Sequence, residues 1–512
     1  MRNLCLVFGD QLSPRIASLD HFDHQQDVIW MAEVDQEATH VWCHKKRLVL
    51  FFSAMRHFRD SLRQRDFEVS YQALTHRRSD DRGADFATIL RKDIKLLRPE
   101  KIVVTQPGDY RVLNAIRDQA EASGVPLEIR EDMHFLCRLQ DFHDWARDRK
   151  NLVMEDFYRY QRKSQKILLD DDQQPLGGQW NFDKQNRQTF GKEGPPPVAA
   201  PRAFAPDETT REVIAMVEKR FHDHPGRADD FDYPVTSEDA EAALQDFITH
   251  RLSGFGDFQD ALWTEQPFLY HSRISAVMNM HLIDPRDALD AAVSAYHAGN
   301  APLNSVEGFV RQILGWREFI RGVYWTYMPE YIDRNALDCD EVDVPAYFWH
   351  GQTDMRCIAD SMHNVIDHAY AHHIQRLMIL GLFSQLLGVH PRKFHEWHMA
   401  MYADAVDWVS LPNALGMSQF GDGGVVGTKP YCASGNYVHK MSNYCKACRY
   451  DPKQAVGEQA CPFTTLYWDF LDRHHDRFQK NHRMVFQIKN LERKPEQDLT
   501  AIRKAAAKLK TQ

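Results

Sequence analysis

The stretch Leu4-Cys5-Leu6-Val7-Phe8-Gly9-Asp10-Gln11-Leu12-Ser13 decides the reading of the N-terminal part of the chain. Five apolar residues in a row, closed by a Gly-Asp turn, describe a strand covered on both faces, as in a parallel sheet. Working outward, residues 27–34 read as a second strand, 48–64 as a helix, 67–74 as a third strand, 84–97 as a helix and 102–106 as a further strand. Alternating elements of these lengths imply an α/β domain built on a parallel, doubly wound sheet. No G-x-G-x-x-G follows the first strand, so an ordinary dinucleotide site at that turn is not supported.

At 512 residues the chain exceeds one ordinary core, so two or three packed units are expected. Hydrophobic content of 43% and charged content of 26% are those of a soluble globular protein. No apolar run reaches the ~18 residues that span a membrane, and residues 1–8 lack the h-region and cleavage site of a signal peptide. A cytoplasmic location and no membrane partner are the expectation. A net charge of −9 argues against binding nucleic acid through bulk charge, though not against a local basic face. Residues 473–510 carry eleven Lys/Arg against four Asp/Glu, which suits a DNA-facing flank or a solvated terminal helix equally well. Periodicity weakens over 132–207, and Gly177-Gly178 with the Pro- and Ala-rich stretch 194–206 reads as a linker. Beyond residue 239 helical patterns dominate, at 239–253, 287–298, 306–327 and 357–387. The expected layout is an α/β domain over 1–131, a connector over 132–238, a larger all-helical domain over 239–490 and a basic helix or tail over 491–512.

Nine cysteines, an odd number, suit metal ligation or burial better than a disulfide framework. Cys445 and Cys448 form a C-x-x-C pair, and Cys461, followed by Pro462, comes after twelve more residues. Two thiolates on one tight turn grip a metal ion or a cluster corner. A fourth ligand would come from Cys357 or Cys432. From spacing alone, structural zinc and iron–sulfur stand at even odds.

Several segments resemble the cryptochrome/photolyase family. Residues 304–319, Asn-Ser-Val-Glu-Gly-Phe-Val-Arg-Gln-Ile-Leu-Gly-Trp-Arg-Glu-Phe, resemble its flavin-domain helix. His372-His373-Ile374-Gln375-Arg376 is similar to the paired-histidine segment of (6-4) photolyases, and Tyr402-Ala403-Asp404 through Leu411-Pro412-Asn413 to the segment that cradles the isoalloxazine ring. The likeness to the iron–sulfur bacterial branch, the prokaryotic (6-4) type, runs from the Gly9-Asp10-Gln11 opening to Cys-Pro-Phe-x-x-Leu-Tyr-Trp at 461–468.

The resemblance implies FAD bound in the helical domain and a 4Fe–4S cluster on Cys357, Cys445, Cys448 and Cys461, with Cys432 a non-ligand. Ser272, Ile274 and Ser275 would meet the pyrophosphate, a role compatible with a plain helix cap. Glu307 and Arg311 would line the flavin and lesion pocket, where spacing alone gives an i,i+4 surface pair. Arg376 and Asp404 would form an ion pair beside the flavin and tune its reduced form, with the Asn413 amide nearby. His373 would donate a proton to the lesion, a task suited to imidazole; the second histidine of eukaryotic relatives is replaced by Leu377. Trp397 and Trp349 would relay electrons to the flavin, although aromatic residues at helical spacing are as often simple core; a relative has tyrosine where this chain has His398. In the α/β domain, Asp10, Gln11 and Glu37 would hydrogen-bond an antenna pigment, 6,7-dimethyl-8-ribityllumazine in this branch, at the carboxyl ends of strands.

The implied activity is light-driven repair of UV-damaged DNA by a monomer, with electron transfer from reduced FAD to a flipped-out (6-4) photoproduct, and a divalent cation such as Mg as a further aid. The alternatives are a cryptochrome-like blue-light photoreceptor on the same fold, repair of cyclobutane dimers, which needs no lesion-directed histidine, and a zinc-stabilised nucleic-acid-binding protein without enzyme activity.

Overall fold

Strand β1 (Asn3–Leu6) runs through the middle of a five-stranded sheet, flanked by β2 (Val28–Ala32) on one side and β4 (Lys101–Thr105) on the other. In this computed structural model, which describes residues 1–511, β3 (Val69–Gln72) and β5 (Leu127–Arg130) are the edges, the order is β3-β2-β1-β4-β5, and every pairing is parallel. The three central strands are almost fully buried, and each apolar side chain placed there is stabilised by about 1.5–3 kcal/mol. The edge strands are only half buried. Strand β5, Leu-Glu-Ile-Arg, has no apolar run, which is why it leaves little trace in the sequence.

Helices Lys45–Gln64, Phe86–Leu97 and Tyr110–Ser123 cover the sheet. Two start on aspartate caps: Asp85 accepts from the Thr88 amide at 2.7 Å and Asp109 from the Arg111 amide at 2.7 Å, each cap stabilising by about 1 kcal/mol. The chain changes direction between β1 and β4, so the carboxyl ends of these strands form the open crevice of a doubly wound sheet.

The connector is more ordered than its weak periodicity suggests. It carries helices Leu139–Ala146, Met154–Gln165 and Glu208–Arg220. Met154–Gln165 buries Arg162 and Gln161 beside Phe157 and Tyr158, so polar residues occupy its core face and mask the helical pattern. The C-terminal helix Glu496–Lys510 is not a free tail either. It lays Leu499, Ile502 and Ala506 inward, packed on helix Pro462–Arg473. Its Arg503 pairs with Asp472 at 2.7 Å and Lys510 with Asp469 at 2.6 Å, while Arg473 also binds Asp469 and Arg477 binds Asp338. Much of the basic excess of this segment is thereby spent on intramolecular pairs.

In the helical part, residues 303–327 form one continuous rod whose middle turn, Arg311–Arg317, is a π-helix. Glycines pin both ends. Gly256 leaves no room for a Cβ against the Ser305 backbone, which it would meet at 2.7 Å, and Gly322 sits against the Phe142 ring. Two further π turns occur, at Gln375–Gly381 and Pro412–Ser418. The pattern over 357–387 predicts one long helix; the structure breaks it. Helix Arg356–His368 ends on Ala369 in the left-handed conformation (φ 49°), and a new helical run starts at His373. No glycine or proline marks the break, so the pattern conceals it.

The two halves meet along residues 41–47. His44 caps helix Lys45–Gln64, its backbone N–H donates to the Ala400 carbonyl at 2.8 Å, and its Nε2 bonds the Ile366 carbonyl at 2.8 Å. The Arg47 guanidinium donates to the Ala405 carbonyl, and Trp408 N–H to that of Gly108. No helix among the described residues is long and apolar enough to cross a membrane.

Candidate active site

A cavity of about 450 Å³ opens in the helical part. Ser272, Ile274, Ser275, His373, Arg376, Asp404 and Asn413 all line it. All three π turns contribute to the wall: Gln312 and Trp316 from the first, Arg376 and Leu377 from the second, Asn413 and Met417 from the third. A π turn widens the helix locally and re-aims its side chains, and such turns recur at functional sites.

Arg376 Nη1 donates to Asp404 Oδ1 at 2.9 Å, and the Ser275 hydroxyl donates to Asp404 Oδ2 at 2.7 Å. Burial works against the Asp404 charge, but the Arg376 guanidinium and these hydrogen bonds hold its carboxyl below the usual range. Arg376 also donates from Nε to the Ala371 carbonyl and lies 4.0 Å from the centre of the Tyr402 ring. The Asn413 amide donates to the Val409 carbonyl at 2.8 Å, leaving its oxygen for another partner.

The opposite wall is made of histidines. His271 and His372 are buried and stacked at 4.6 Å, while His373, with its side chain 48% exposed, holds Asp260 Oδ1 from Nε2 at 3.0 Å. Burial pushes His271 down to about 3 and His372 well below the usual imidazole value, so both are neutral at pH 7. His372 Nε2 is buried without a partner. Ring nitrogens of the three lie within 4.8 Å of one another. The His271 and His372 rings are nearly parallel, 14° apart, so their in-plane lone pairs point side by side rather than at one ion. His271 had no signal in the sequence.

Glu307 and Arg311 are not part of this cavity. Their helix face turns to the connector: Glu307 Oε2 accepts from the Phe182 amide at 3.2 Å, Arg311 pairs with Asp183, and the two side chains stand 3.5 Å apart. The π turn begins at Arg311, and its residues Gln312 and Trp316 reach the wall.

Trp397 lies just behind the cavity, fully buried, its ring stacked at 5.6 Å on Phe394 and 5.8 Å from Tyr402. Phe394 and His398 line the cavity. Trp397 Nε1–H donates to the Phe348 carbonyl at 3.1 Å, the peptide that leads into Trp349.

A second cavity, of about 100 Å³, opens at the switch point of the sheet, lined by Gly9, Asp10, Glu37, Asp109 and, from the helical part, Met399, Ala405, Val406 and Asp407. Gly108 N–H donates to Asp10 at 2.9 Å. Burial still pushes Asp10 up to about 6, and burial with Asp407 pushes Asp109 up to about 7. Glu37 is held low despite burial by a bidentate pair with Arg111 at 2.8 and 2.9 Å. Gln11 does not reach this cavity. Its amide donates to the Thr105 and Gln106 carbonyls at 3.0 and 3.2 Å and its oxygen accepts from Phe8, so it ties the ends of β1 and β4 together.

Cys357, Cys445, Cys448 and Cys461 line one small cavity of about 20 Å³ with Tyr444, Tyr450 and Phe463; Cys432 is not among its lining residues. Gly435 is required there, since a Cβ would stand 2.7 Å from Cys461 Sγ. Among the described residues no three of these sulfurs lie within 4.8 Å of one another, whereas tetrahedral zinc would hold its sulfurs ~3.8 Å apart. Burial, with the neighbouring cysteines, raises the Cys357 and Cys445 thiols, the latter to about 12; a cationic group would be needed to ionise them.

The model of the deoxyribodipyrimidine photo-lyase-related protein family matches residues 5–233. A (6-4) photolyase of Agrobacterium fabrum is 47% identical over 487 residues, 95% of this chain and 94% of that protein. The chain belongs to the cryptochrome/photolyase family. Solved structures share the fold at low identity. A bacterial class III photolyase from Agrobacterium tumefaciens superposes with a TM-score of 0.53 at 15% identity over 86% of both chains, and the Synechocystis sp. PCC6803 cryptochrome with 0.52 at 13% over 82% and 83%. Photolyases are FAD proteins, and the donor set of this cavity fits that group: it joins hydroxyls and an arginine–aspartate pair to apolar side chains and holds the spare oxygen of Asn413.

Proposed function

We propose that this chain is a light-driven DNA repair enzyme acting on (6-4) pyrimidine–pyrimidone photoproducts. The observation that carries the reading is His373, half exposed on the wall of the cavity in the helical part, oriented by Asp260 and lining the same space as the Arg376–Asp404 pair. The 47% identical (6-4) photolyase supports it over the whole length.

Ser272, Ile274 and Ser275 would hold the FAD pyrophosphate, and Arg376, Asp404 and Asn413 its ring. Bound reduced FAD, excited by blue light, supplies one electron to the lesion. Every other part falls to side chains of this chain. Because Asp260 occupies His373 Nε2, Nδ1 is the ring nitrogen left to exchange a proton with the lesion. Neutral His271 and His372 place no competing charge beside it. Arg376 fixes Asp404 and stabilises negative charge developing in the cavity. The damaged dinucleotide would flip out of the duplex to enter, with Leu377 giving it an apolar contact where eukaryotic relatives have histidine.

Cys357, Cys445, Cys448 and Cys461 would hold a 4Fe–4S cluster, a reading supported by the one cavity that all four line. Asp10 and Glu37 would bind the lumazine antenna. Trp397 and Trp349 would carry electrons inward when the flavin is reduced by light. A divalent cation such as Mg prefers oxygen ligands, which the histidine wall offers only through Asp260.

The test is repair of an oligonucleotide carrying one (6-4) photoproduct by reduced protein, with and without blue light, beside a cyclobutane-dimer oligonucleotide and a His373→Ala variant. Light-dependent loss of the (6-4) lesion, reduced by about 10²–10⁴-fold in the variant, is expected. Repair of the cyclobutane dimer instead removes the substrate assignment. No repair of either by protein that still photoreduces its flavin makes it a photoreceptor.

A further inference from the structure

Trp42 is one of the few large apolar side chains left exposed, at 45%, and it belongs to the α/β domain. Its ring centroid lies 5.2 Å from that of Trp349, which belongs to the helical domain. The contact is held from both sides. Val41 packs against the helical core, and His44 is bonded to the Ala400 and Ile366 carbonyls two residues further on. An exposed indole fixed against a half-buried one, across a domain boundary, is more than surface packing needs.

Inward from Trp349 the path is continuous. The Trp349 backbone is joined to the Phe348 carbonyl that accepts the Trp397 Nε1–H bond, and Trp397 stacks on Phe394 at the cavity wall. Tyr402 lies close to Trp397, but its hydroxyl is buried without a partner. Oxidised tyrosine must shed its phenolic proton, and no hydrogen-bonded acceptor stands on that hydroxyl. Arg376, 4.0 Å from the Tyr402 ring centre, further opposes positive charge on it. Indoles, which tolerate the cation radical, are therefore the carriers on this route.

We propose that Trp42 is the solvent-side terminus of the electron relay, so that the antenna domain completes the path by which the flavin is reduced. The proposal rests on the reading of Trp397 and Trp349 as relay residues. One electron leaves the Trp42 indole and passes through Trp349 and Trp397 to the photoexcited flavin, which gains it. The oxidised indole at the surface loses its N–H proton to water or is restored by one electron from a thiol reductant. Two such events convert two thiols to one disulfide and release two protons.

The experiment follows flavin photoreduction in the FAD-loaded full chain with limiting dithiothreitol, for the wild type, Trp42→Phe, Trp349→Phe and Trp397→Phe. After illumination in air without thiol, peptide mapping locates oxidised tryptophan. Phenylalanine keeps the packing, and thermal melting with flavin occupancy reports folding. Trp42→Phe should photoreduce several-fold more slowly, and the oxidation mark in the wild type should fall on Trp42. Photoreduction at the wild-type rate in Trp42→Phe, with the mark on Trp349, overturns the proposal while leaving the inner relay standing. An unimpaired Trp397→Phe variant removes the relay reading itself.

Discussion

Asp10 shows what a buried carboxylate costs the protein that carries it. It faces the cavity at the switch point of the sheet with Gly108 N–H as its main donor, and burial raises its carboxyl to about 6. Folding therefore favours the protonated form. The penalty is absent below about pH 4, grows as pH rises through the unfolded value, and is complete above about 6. Asp10→Asn should stabilise the chromophore-free protein at pH 7 by about 1–3 kcal/mol and leave it unchanged near pH 4, while weakening antenna binding. Urea melts at the two pH values check this; equal gains at both would refute the electrostatic cause. At this scale, legibility depended on whether a residue's role follows from its type and local motif. His373, Arg376 and Asp404 stood in motifs that resemble known ones, and the structure places all three on one cavity. Glu307, Arg311 and Gln11 stood in such motifs too, yet their side chains turn elsewhere, because one residue of helical phase or one strand-end turn decides the direction.

The elements explain why that phase is hard to read. In the rod over residues 303–327, Gly256 fixes one end against Ser305 and Gly322 the other against Phe142. With both ends held, the surplus residue has nowhere to go but into a wider turn, Arg311–Arg317. Deleting Leu314 should restore an ordinary α-helix with both held ends in place while removing the wider turn that aims Gln312 and Trp316 at the wall. Helical circular dichroism should survive and flavin occupancy should fall sharply; full flavin content in the deletion variant would show that the π turn does not set the wall. The periodic signal averages over such a turn, as it does over the break at Ala369. Central strands β1, β2 and β4 were legible because double-sided burial writes continuous apolar runs, whereas β5 and the helix with buried Arg162 were not.

Across the whole molecule, burial keeps a set of histidines neutral. His44 and His281 are lowered to about 4 and His271 to about 3, while His134, His372 and His398 fall well below the usual value. Their folded values lie under the unfolded one, so their contribution is intact above about pH 6.5 and lost as pH falls toward 4. Each costs up to about 2 kcal/mol by pH 5, more in sum than Asp10 and Asp109 return by protonation over the same range. The urea midpoint should drop steeply from pH 7 to 5, and a flat profile would contradict the burial of these groups. The seam along residues 41–47 has a consequence of another kind. The cavity at the switch point of the sheet takes Met399, Ala405, Val406 and Asp407 from the helical part, and the cap of helix Lys45–Gln64 hangs on that part's carbonyls. Neither half is a module that gene fusion could lift out and reuse, so the two are inherited together or not at all.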